Sequence, residues 1–494
     1  MAEPKVVVSL FARDPDVALR DARRAAMAGA DWVELRLDEW PADARLDSVI
    51  AGLRVPVIVT CRTPRDGGTY RGSASARLAL LERALTAGAQ GIDIEDWETW
   101  SPRGDSVALL IRSHHDLRGV PRDLRTLRDS LLDRGADCAK IVGRADDLAD
   151  AAPLLSLLGS SDPEREPTVA FAMGPGSAAT RVLACALGAP LCYASLGDDL
   201  ATAPGQITVQ DAVGLYRVRE LGQRTRIFGV LGDPVTHSLS PLVHNRALRR
   251  LEEDGVYLPL GSARPRDVLA MLPRRRLGGF SVTAPFKENI RSLCHRLTED
   301  AELLGAVNTL EFQAQDQIVG HNTDVEGVRR ALVDAGVTPG TGVAVVLGGG
   351  GAARAGALAL ERLGFAVTIC TRSLERVRDF ARQRGYQLGA LRSDVLDDLR
   401  PKVVVHATVV GSLAHGSVGE RVVPNWQPLP GTFVLDMVYR PHTTKLLADC
   451  ARAGAVAIPG IDMFLAQASE QIGIFTGERA PVSELGRYVA AGVW

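Results

Sequence analysis

The sequence predicts an α/β protein: an N-terminal (β/α)8 barrel followed by a second α/β half that ends in an open parallel sheet. Three observations predict it. Over roughly the first 220 residues, short apolar runs alternate with amphipathic stretches rich in Ala, Arg and Leu. Repeated β/α units build a parallel sheet, and eight of them suggest closure into a barrel. Three runs are announced by the same kind of phrase, a helix-ending glycine before a strand: Ala28-Gly29-Ala30-Asp31, Ala87-Gly88-Ala89-Gln90 and Arg134-Gly135-Ala136-Asp137. Much later, the very apolar Val343–Leu347 runs straight into a glycine cluster and an alanine-rich helix.

The eight runs of the first half are Val6–Leu10, Trp32–Leu37, Val55–Cys61, Gly91–Glu95, Val107–Arg112, Cys138–Val142, Thr168–Met173 and Leu191–Leu196, with Thr208–Gly222 read as the last barrel helix. An open sheet of the dinucleotide-binding kind is the alternative for this half. The polar link Gly222-Gln223-Arg224-Thr225 precedes a new apolar strand, Ile227–Gly232, and marks a domain boundary. A second boundary falls in the turn-rich Val337-Thr338-Pro339-Gly340-Thr341-Gly342.

Composition narrows the class. The 494 residues are 46% hydrophobic and 23% charged with a net charge of -2, which argues against a polyanion-binding protein and against a disordered chain. No stretch reaches the roughly 18 to 20 apolar residues of a membrane span. The chain enters a strand at once, leaving no room for a signal peptide. Seven cysteines without a C-x-x-C pair, most of them in or beside apolar strands, favour a reducing compartment. A cytoplasmic enzyme of small molecules, with no nucleic-acid or membrane partner and no metal, is the expectation; oligomeric state is not readable. The chain has 52 arginines and only five lysines, Lys5, Lys140, Lys287, Lys402 and Lys445. Codon bias accounts for most of that. A lysine kept in such a chain is still a candidate for work that needs an amine able to lose its proton, which a guanidinium cannot do.

Barrel enzymes place catalysis at the C-terminal ends of the strands. There the sequence supplies Glu34, Arg36 and Asp38 at spacing two and so on one face, then Arg62, Asp93-Ile94-Glu95, Ser113-His114-His115-Asp116 and Lys140. Any one could be a surface charge at a strand exit, but five consecutive strand ends converge on one mouth. Lys140 lies inside Cys138-Ala139-Lys140-Ile141-Val142, where a lysine is costly unless its pKa is depressed. A depressed pKa would make it a nucleophile able to condense with a carbonyl. The alternative is a lysine that snorkels from a strand end.

These residues, with Thr60-Cys61-Arg62-Thr63, Ala139-Lys140-Ile141, Arg181 and Ala203-Pro204-Gly205-Gln206, resemble type I 3-dehydroquinate dehydratase over nearly the whole barrel. The resemblance implies that Lys140 forms a Schiff base with the substrate ketone. His115 would take the C2 proton and later protonate the departing hydroxyl, held in place by Glu95. Glu34, Arg36, Arg62, Arg181, Thr202 and Gln206 would bind substrate. His115 rather than His114 is the base because the family's base immediately precedes the Asp. Thr202 stands where the family usually has Ser, and Leu187-Gly188-Ala189 replaces Phe-Gly-Ser; neither change removes a group the chemistry needs.

In the second half, Gly348, Gly350 and Ala353 form a G-x-G-x-x-A match between an apolar strand and a helix, and a second strand, Ala366–Cys370, ends roughly 20 residues on. This is a Rossmann fingerprint, whose glycines let backbone approach a pyrophosphate at a helix N-terminus. In place of the Asp or Glu that would bind the ribose 2'-hydroxyl of NAD stand Thr371, Arg372 and Ser373, suited to a 2'-phosphate. NADP is therefore the expected cofactor; Glu375, slightly further on, is the competing NAD reading.

A second set, Ser238-Leu239-Ser240-Pro241, Ser281-Val282-Thr283-Ala284-Pro285-Phe286-Lys287, Ala306-Val307-Asn308-Thr309, Asn322-Thr323-Asp324, Asp436-Met437-Val438-Tyr439 and Gly460 to Gln471, resembles shikimate dehydrogenase throughout the C-terminal half. The resemblance implies that Ser238 and Ser240 bind the substrate carboxylate and that Lys287 and Asp324 flank the carbonyl being reduced. Thr283, Asn308, Thr323, Tyr439, Gln467 and Gln471 would complete the pocket. Gly351, Ala352, Thr408, Met437 and Gly460 would join the fingerprint residues at the cofactor. Ser281 replaces a usual Asn and raises the question of quinate as substrate.

The domains expected are 1–222, a dehydratase barrel; 226–337 with 463–494, a substrate domain; and 338–462, a Rossmann NADP-binding domain. The whole is similar to the fused dehydratase and dehydrogenase of the plant shikimate pathway, converting 3-dehydroquinate to 3-dehydroshikimate and then to shikimate. The rival readings are a chain with one competent half and a sensor that binds these metabolites without turning them over. The four residues Lys140, His115, Lys287 and Asp324, which a sensor need not keep, are all present.

Overall fold

Each apolar run of the first half becomes a strand: β1 (Lys5–Phe11), β2 (Trp32–Arg36), β3 (Val57–Thr60), β4 (Gly91–Glu95), β5 (Leu109–His115), β6 (Cys138–Arg144), β7 (Thr168–Met173) and β8 (Leu191–Ser195), then a two-residue β9 (Ile207–Thr208). These come from a computed structural model that describes residues 3–41, 45–102, 107–313 and 317–491. The chain divides into two units, one of Met1–Ile227 with Asp254–Leu277 and one of Phe228–Glu253 with Gly278–Trp494.

In the first unit the strands are parallel and pair in the order β7-β6-β5-β4-β3-β2-β1-β8-β9. β3, β4 and β8 are buried along their whole length, as strands are when one face lines a packed interior and helices cover the other. Register then decides which polar residues meet. Ser9 on β1 pairs with Glu34 on β2, and Ser113 on β5 with Lys140 on β6.

Two features differ from the sequence expectation. The ladder does not close between β7 and β8. Instead the helix Ala178–Ala186 satisfies the open edge: Ala172 N–H donates to Thr180 Oγ1 at 3.1 Å and Ala172 O accepts from Arg181 Nη1 at 3.4 Å. The Phe171 and Tyr193 rings approach to 6.1 Å between the same two strands. Secondly, Thr208–Gly222 is not a regular helix. A π-turn at Asp211–Leu215 gives way to a 3-10 turn at Val218–Glu220, separated by Arg217 at φ 50. Gly214 inside the turn costs about 1 kcal/mol of helix propensity, and a left-handed arginine cannot continue an α-helix.

β10 (Arg226–Gly232) leads into the second unit, but the segment with β11 (Gly255–Gly261) and the helix Pro265–Met271 falls with the first, whereas the sequence division placed it within 226–337. The Asp147 carboxylate accepts from Ser262 Oγ at 2.6 Å and Ala263 N–H at 2.9 Å, and Arg264 pairs with Asp150 at 2.6 Å.

In the second unit β10, β12 (Leu277–Val282), β14 (Thr309–Phe312), β15 (Ile318–His321) and the short β13 (Arg296–Leu297) lie in that spatial order. β14 is antiparallel to both β12 and β15. A second sheet is all parallel: β16 (Val343–Leu347), β17 (Ala366–Cys370), β18 (Gln387–Gly389), β19 (Val403–His406), β20 (Phe433–Asp436) and β21 (Val456–Ile458), in the order β18-β17-β16-β19-β20-β21. Counted along the chain this is 3-2-1-4-5-6, the doubly wound order whose switch point, between β16 and β19, is where dinucleotides bind. Alternate β16 residues serve opposite cores, Val345 and Leu347 one and Ala344 and Val346 the other. The long helix Gly460–Thr476 packs on Asp324–Asp334 so closely that a Cβ on Gly327 would lie 2.9 Å from Gln467 Cβ.

Candidate active sites

A cavity of about 320 Å³ opens at the C-terminal ends of the barrel strands. Glu34, Arg36, Arg62, His115, Lys140, Arg181, Thr202 and Gln206 all line it. Lys140 is buried and its Nζ donates to Asp93 Oδ2 at 2.9 Å, with Glu34 Oε1 at 3.8 Å. The same Asp93 oxygen lies 3.0 Å from Arg62 Nη2. Burial alone would raise the Asp93 carboxyl, but Arg62 and Lys140 outweigh it and hold it far below the usual carboxylate range. The burial cost of Lys140 is thus met by an ion pair rather than by snorkelling.

His115 sits beside this cluster, its Nδ1 2.8 Å from Arg62 Nη1. Burial, then the charges of Arg62 and Lys140, push the imidazole well below its ordinary value, so it is neutral near pH 7. His114, its neighbour in sequence, pairs with Asp96 at 2.9 Å and is pushed up by that hydrogen bond; it does not line the cavity.

The remaining barrel residues are held as well as placed. Glu34 accepts from Ser9 Oγ at 2.5 Å and from Thr60 Oγ1 at 2.8 Å. Arg36 is gripped by both Asp38 oxygens at 3.1 and 2.7 Å. Gln206 Oε1 accepts from Thr202 N–H at 2.7 Å and Ala203 N–H at 3.3 Å, which turns the amide NH2 outward from that loop. Arg181 donates to Gly205 O and, at 3.4 Å, to Ala172 O, tying the 203–206 loop to β7; burial lowers it to about 10.

In the second unit Lys287 Nζ donates to Asp324 Oδ2 at 2.6 Å. Asn308 Nδ2 donates to Asp324 Oδ1 at 2.8 Å and to Thr323 Oγ1 at 2.9 Å, and Thr323 Oγ1 lies 3.2 Å from Gln467 Oε1. Gln471 donates to Thr309 Oγ1 at 2.8 Å and accepts from Ser281 Oγ at 2.7 Å. Ser240 N–H donates to Ser238 Oγ at 3.2 Å, and Ser238 also hydrogen-bonds the partly buried Tyr439, whose phenol is pushed up by desolvation. Thr283 caps the same end of the sheet, its N–H bonded to Leu231 O at 2.9 Å.

Comparison with known proteins decides between the readings. Residues 6–223 match the family described as Type I 3-dehydroquinase, and residues 230–310 match the shikimate dehydrogenase substrate binding domain. The chain is 31% identical to the bifunctional 3-dehydroquinate dehydratase/shikimate dehydrogenase of Arabidopsis thaliana, covering 96% of this chain and 82% of that one. It belongs to that bifunctional family. The C-terminal half is also 38% identical to the shikimate dehydrogenase (NADP(+)) of Geobacter metallireducens, over 55% of this chain and 98% of that one. The crystal structure of shikimate dehydrogenase from Aquifex aeolicus superposes with a TM-score of 0.50 at 29% identity, over 54% of this chain and 98% of that one.

In this bifunctional dehydratase/dehydrogenase one assigned position needs correction. Glu95 does not hold His115 and does not line the cavity. Its carboxylate accepts from Arg77 Nη1 at 2.7 Å, and Arg77 also bridges to Glu98 at 2.6 Å. Both side chains are 1% exposed, and the other Glu95 oxygen, Oε1, is buried without a hydrogen-bond partner among the described residues. Burial pushes the Glu95 carboxyl up, against Arg62 and Arg77. Three residues escaped the sequence reading, Ser9, Asp66 and Tyr193, and Asp93, though read among the charged strand ends, was given no role. Asp93 had a signal, standing two residues from Glu95 on one strand. Ser9 could be found only from register opposite Glu34. Asp66 lines the cavity from the turn after β3, its Oδ2 accepting from Trp97 Nε1 at 2.8 Å. Tyr193 read as an apolar core residue.

The glycine loop fits a dinucleotide. Gly348 has φ +135, and a Cβ there would lie 2.9 Å from Ala407 O. A Cβ on Gly350 would meet nothing within 4 Å, leaving open space before the helix that starts at Gly351, while one on Gly349 would strike Thr371 Oγ1 at 2.7 Å. Ala352 and the fully buried Ala353 follow in the first turn. Arg372 and Ser373 are exposed just beyond β17 and carry no acidic neighbour in that turn; Glu375 points to Arg378 at 3.5 Å. Across the switch point Thr408 Oγ1 is fixed 2.6 Å from His406 Nε2, whose Nδ1 is 2.8 Å from Asp436. Gly460 lies against Asp436, Met437 and Val438, where a Cβ would be 2.5 Å from Asp436 O. A Cβ on Gly351 would come 4.0 Å from Lys287 Cδ, so the loop adjoins the Lys287–Asp324 pair.

Proposed function

We propose that the first unit dehydrates 3-dehydroquinate through an imine on Lys140 and that the second reduces the product, 3-dehydroshikimate, to shikimate with NADPH. The observation that carries the first step is a buried amine and a neutral imidazole facing one cavity. Lys140, having given up a proton, attacks the ketone carbon, and the ketone oxygen leaves as water. His115 then removes the proton on the carbon next to the imine, whose nitrogen accepts the electron pair. The hydroxyl beyond it departs with a proton returned by His115, and hydrolysis restores Lys140. For His115 to act as base it needs a free lone pair, so Arg62 must release Nδ1; substrate anion or hydroxyl drawn to Arg62, Arg36, Arg181 and Gln206 supplies that exchange. Glu34 and Thr202 bind the remaining hydroxyls.

In the second unit Ser238, Ser240 and Tyr439 hold the substrate carboxylate, and Thr283, Asn308, Thr323, Gln467 and Gln471 surround the ring. Asp324 accepts from both Lys287 and Asn308, so Lys287 is the group with a proton to give to the carbonyl oxygen. NADPH, held by Gly348–Ala353, Thr371–Ser373, Thr408, Met437 and Gly460, supplies the hydride when bound. Of the domain division 1–222, 226–337 with 463–494, and 338–462, the boundaries near 222 and 338 coincide with the breaks between β9 and β10 and between β15 and β16, whereas 254–277 falls with the first unit. Seven unpaired cysteines support a reducing compartment such as the cytoplasm, and no helix among the described residues is long and apolar enough to cross a membrane.

Borohydride reduction in the presence of 3-dehydroquinate, followed by peptide mass mapping, is expected to place one substrate adduct on Lys140. An unmodified Lys140 peptide under turnover would sink the imine assignment.

A further inference from the structure

Tyr193 has no part in the roles above, yet it touches the amine on which they turn. Its ring centroid lies 3.7 Å from Lys140 Nζ, and it lines the same cavity. The residue is only 3% exposed, and its hydroxyl has no hydrogen-bond partner among the described residues. A phenylalanine would fill this space without burying an unpaired hydroxyl, a burden that a folded chain sheds unless something else pairs with the group. Burial, with the carboxylates of Glu34 and Asp93 close by, pushes the phenol well above its ordinary value. The proton therefore stays on, and the group offers a donor.

We propose that Tyr193 is a further catalytic residue of the dehydratase half, its hydroxyl donating to the substrate oxygen that is expelled as the Lys140 imine forms. The inference rests on the assignment of Lys140 above. As the nitrogen lone pair forms the C–N bond, the carbonyl π pair moves onto oxygen, and charge builds there. Overall, ammonium and ketone become protonated imine and water: one C–N double bond replaces one C–O double bond, and the two protons lost by nitrogen leave on the oxygen. A donor that reaches that oxygen once substrate fills the cavity acts where the charge develops. The ring face packed against the amine sets the distance between the donor and the reacting nitrogen, and it favours nitrogen in its cationic forms.

Tyr193→Phe keeps the ring and removes only the donor. In the full-length enzyme, rapid-quench borohydride trapping with 3-dehydroquinate is expected to show adduct on Lys140 forming about 10- to 100-fold more slowly than in wild type. The thermal midpoint should be unchanged or raised, because an unpaired buried hydroxyl is gone, and NADPH-dependent reduction of 3-dehydroshikimate should be unaffected. Adduct formation at the wild-type rate overturns the proposal. So does a variant that slows only because it has lost stability, since the hydroxyl would then be structural. If wild type itself yields no adduct, the Lys140 assignment fails and takes this one with it, an outcome distinct from a wild type that traps and a variant that traps equally well.

Discussion

Arg62 and His115 meet inside the barrel with the guanidinium Nη1 2.8 Å from the imidazole Nδ1. An arginine can only donate, so Nδ1 carries the lone pair and the ring proton sits on Nε2. The contact makes a neutral imidazole and a positive neighbour one unit.

The acid limb of dehydratase kcat/KM is therefore expected below the ordinary histidine value of about 6.5. Burial, then Arg62 and Lys140, lowers the His115 pKa, so the neutral base persists to more acid pH than a free histidine would. Arg62→Gln removes one lowering charge and should move the limb upward, besides raising KM. An unmoved limb would show that Arg62 does not tune His115. The stability sign is the same: a folded-state pKa below the unfolded one means the folded chain binds fewer protons, so this contribution is present above about pH 6.5 and is lost as pH falls toward the folded value.

Arg77 carries the second prediction. It is buried with Glu95 and Glu98 on its two nitrogens. Arg77→Ala leaves two buried carboxylates without their cation and is expected to cost about 3–5 kcal/mol of stability, read as a lowered denaturation midpoint. Glu95→Gln should instead leave the pH profile of dehydration where it was, because His115 does not touch it. A shifted acid limb in Glu95→Gln would restore the direct role that the structure removes.

How far the sequence went follows from how local each signal was. The Rossmann loop is contiguous, strand to glycines to helix, and the spacing of Gly348, Gly350 and Ala353 carried its own geometry. The barrel mouth was readable because period-two strands put Glu34 and Arg36 on one face and bring Lys140 to a strand end. Glu95 could not be sorted from Asp93 by that rule, because its partner Arg77 lies 18 residues back on a helix. The open edge of β7 is closed by Thr180 and Arg181, side chains with no strand pattern. The Asp147–Ser262 contact spans 115 residues, beyond any periodicity. Tyr193 was invisible for a different reason: an aromatic residue in an apolar run reads as packing until its unpaired hydroxyl is seen.

Cofactor choice turns on Arg372. If its guanidinium meets a 2'-phosphate, losing one charged hydrogen bond costs about 1.5–3 kcal/mol, or about 10- to 150-fold at 1.4 kcal/mol per decade. Arg372→Ala is thus expected to raise KM for NADPH by that factor and to leave KM for NADH almost unchanged. Equal losses with both nucleotides would place Arg372 away from the phosphate.

Lys287 and Asp324 share one short contact, and Asn308 holds the far oxygen of the carboxylate. If the pair delivers one proton as a unit, each single change should remove the same step. Lys287→Ala and Asp324→Asn are then each expected to lower kcat for shikimate oxidation by about 10²- to 10⁴-fold, and the double variant should be scarcely slower than either, since residues acting as a unit are far from additive. NADP binding, read by fluorescence titration, should survive in all three, because neither side chain belongs to the glycine loop. Multiplying losses in the double variant would mean two independent roles, one for each residue. A kcat retained in Asp324→Asn would leave Lys287 acting alone, with Asp324 reduced to holding Asn308 and the start of its helix.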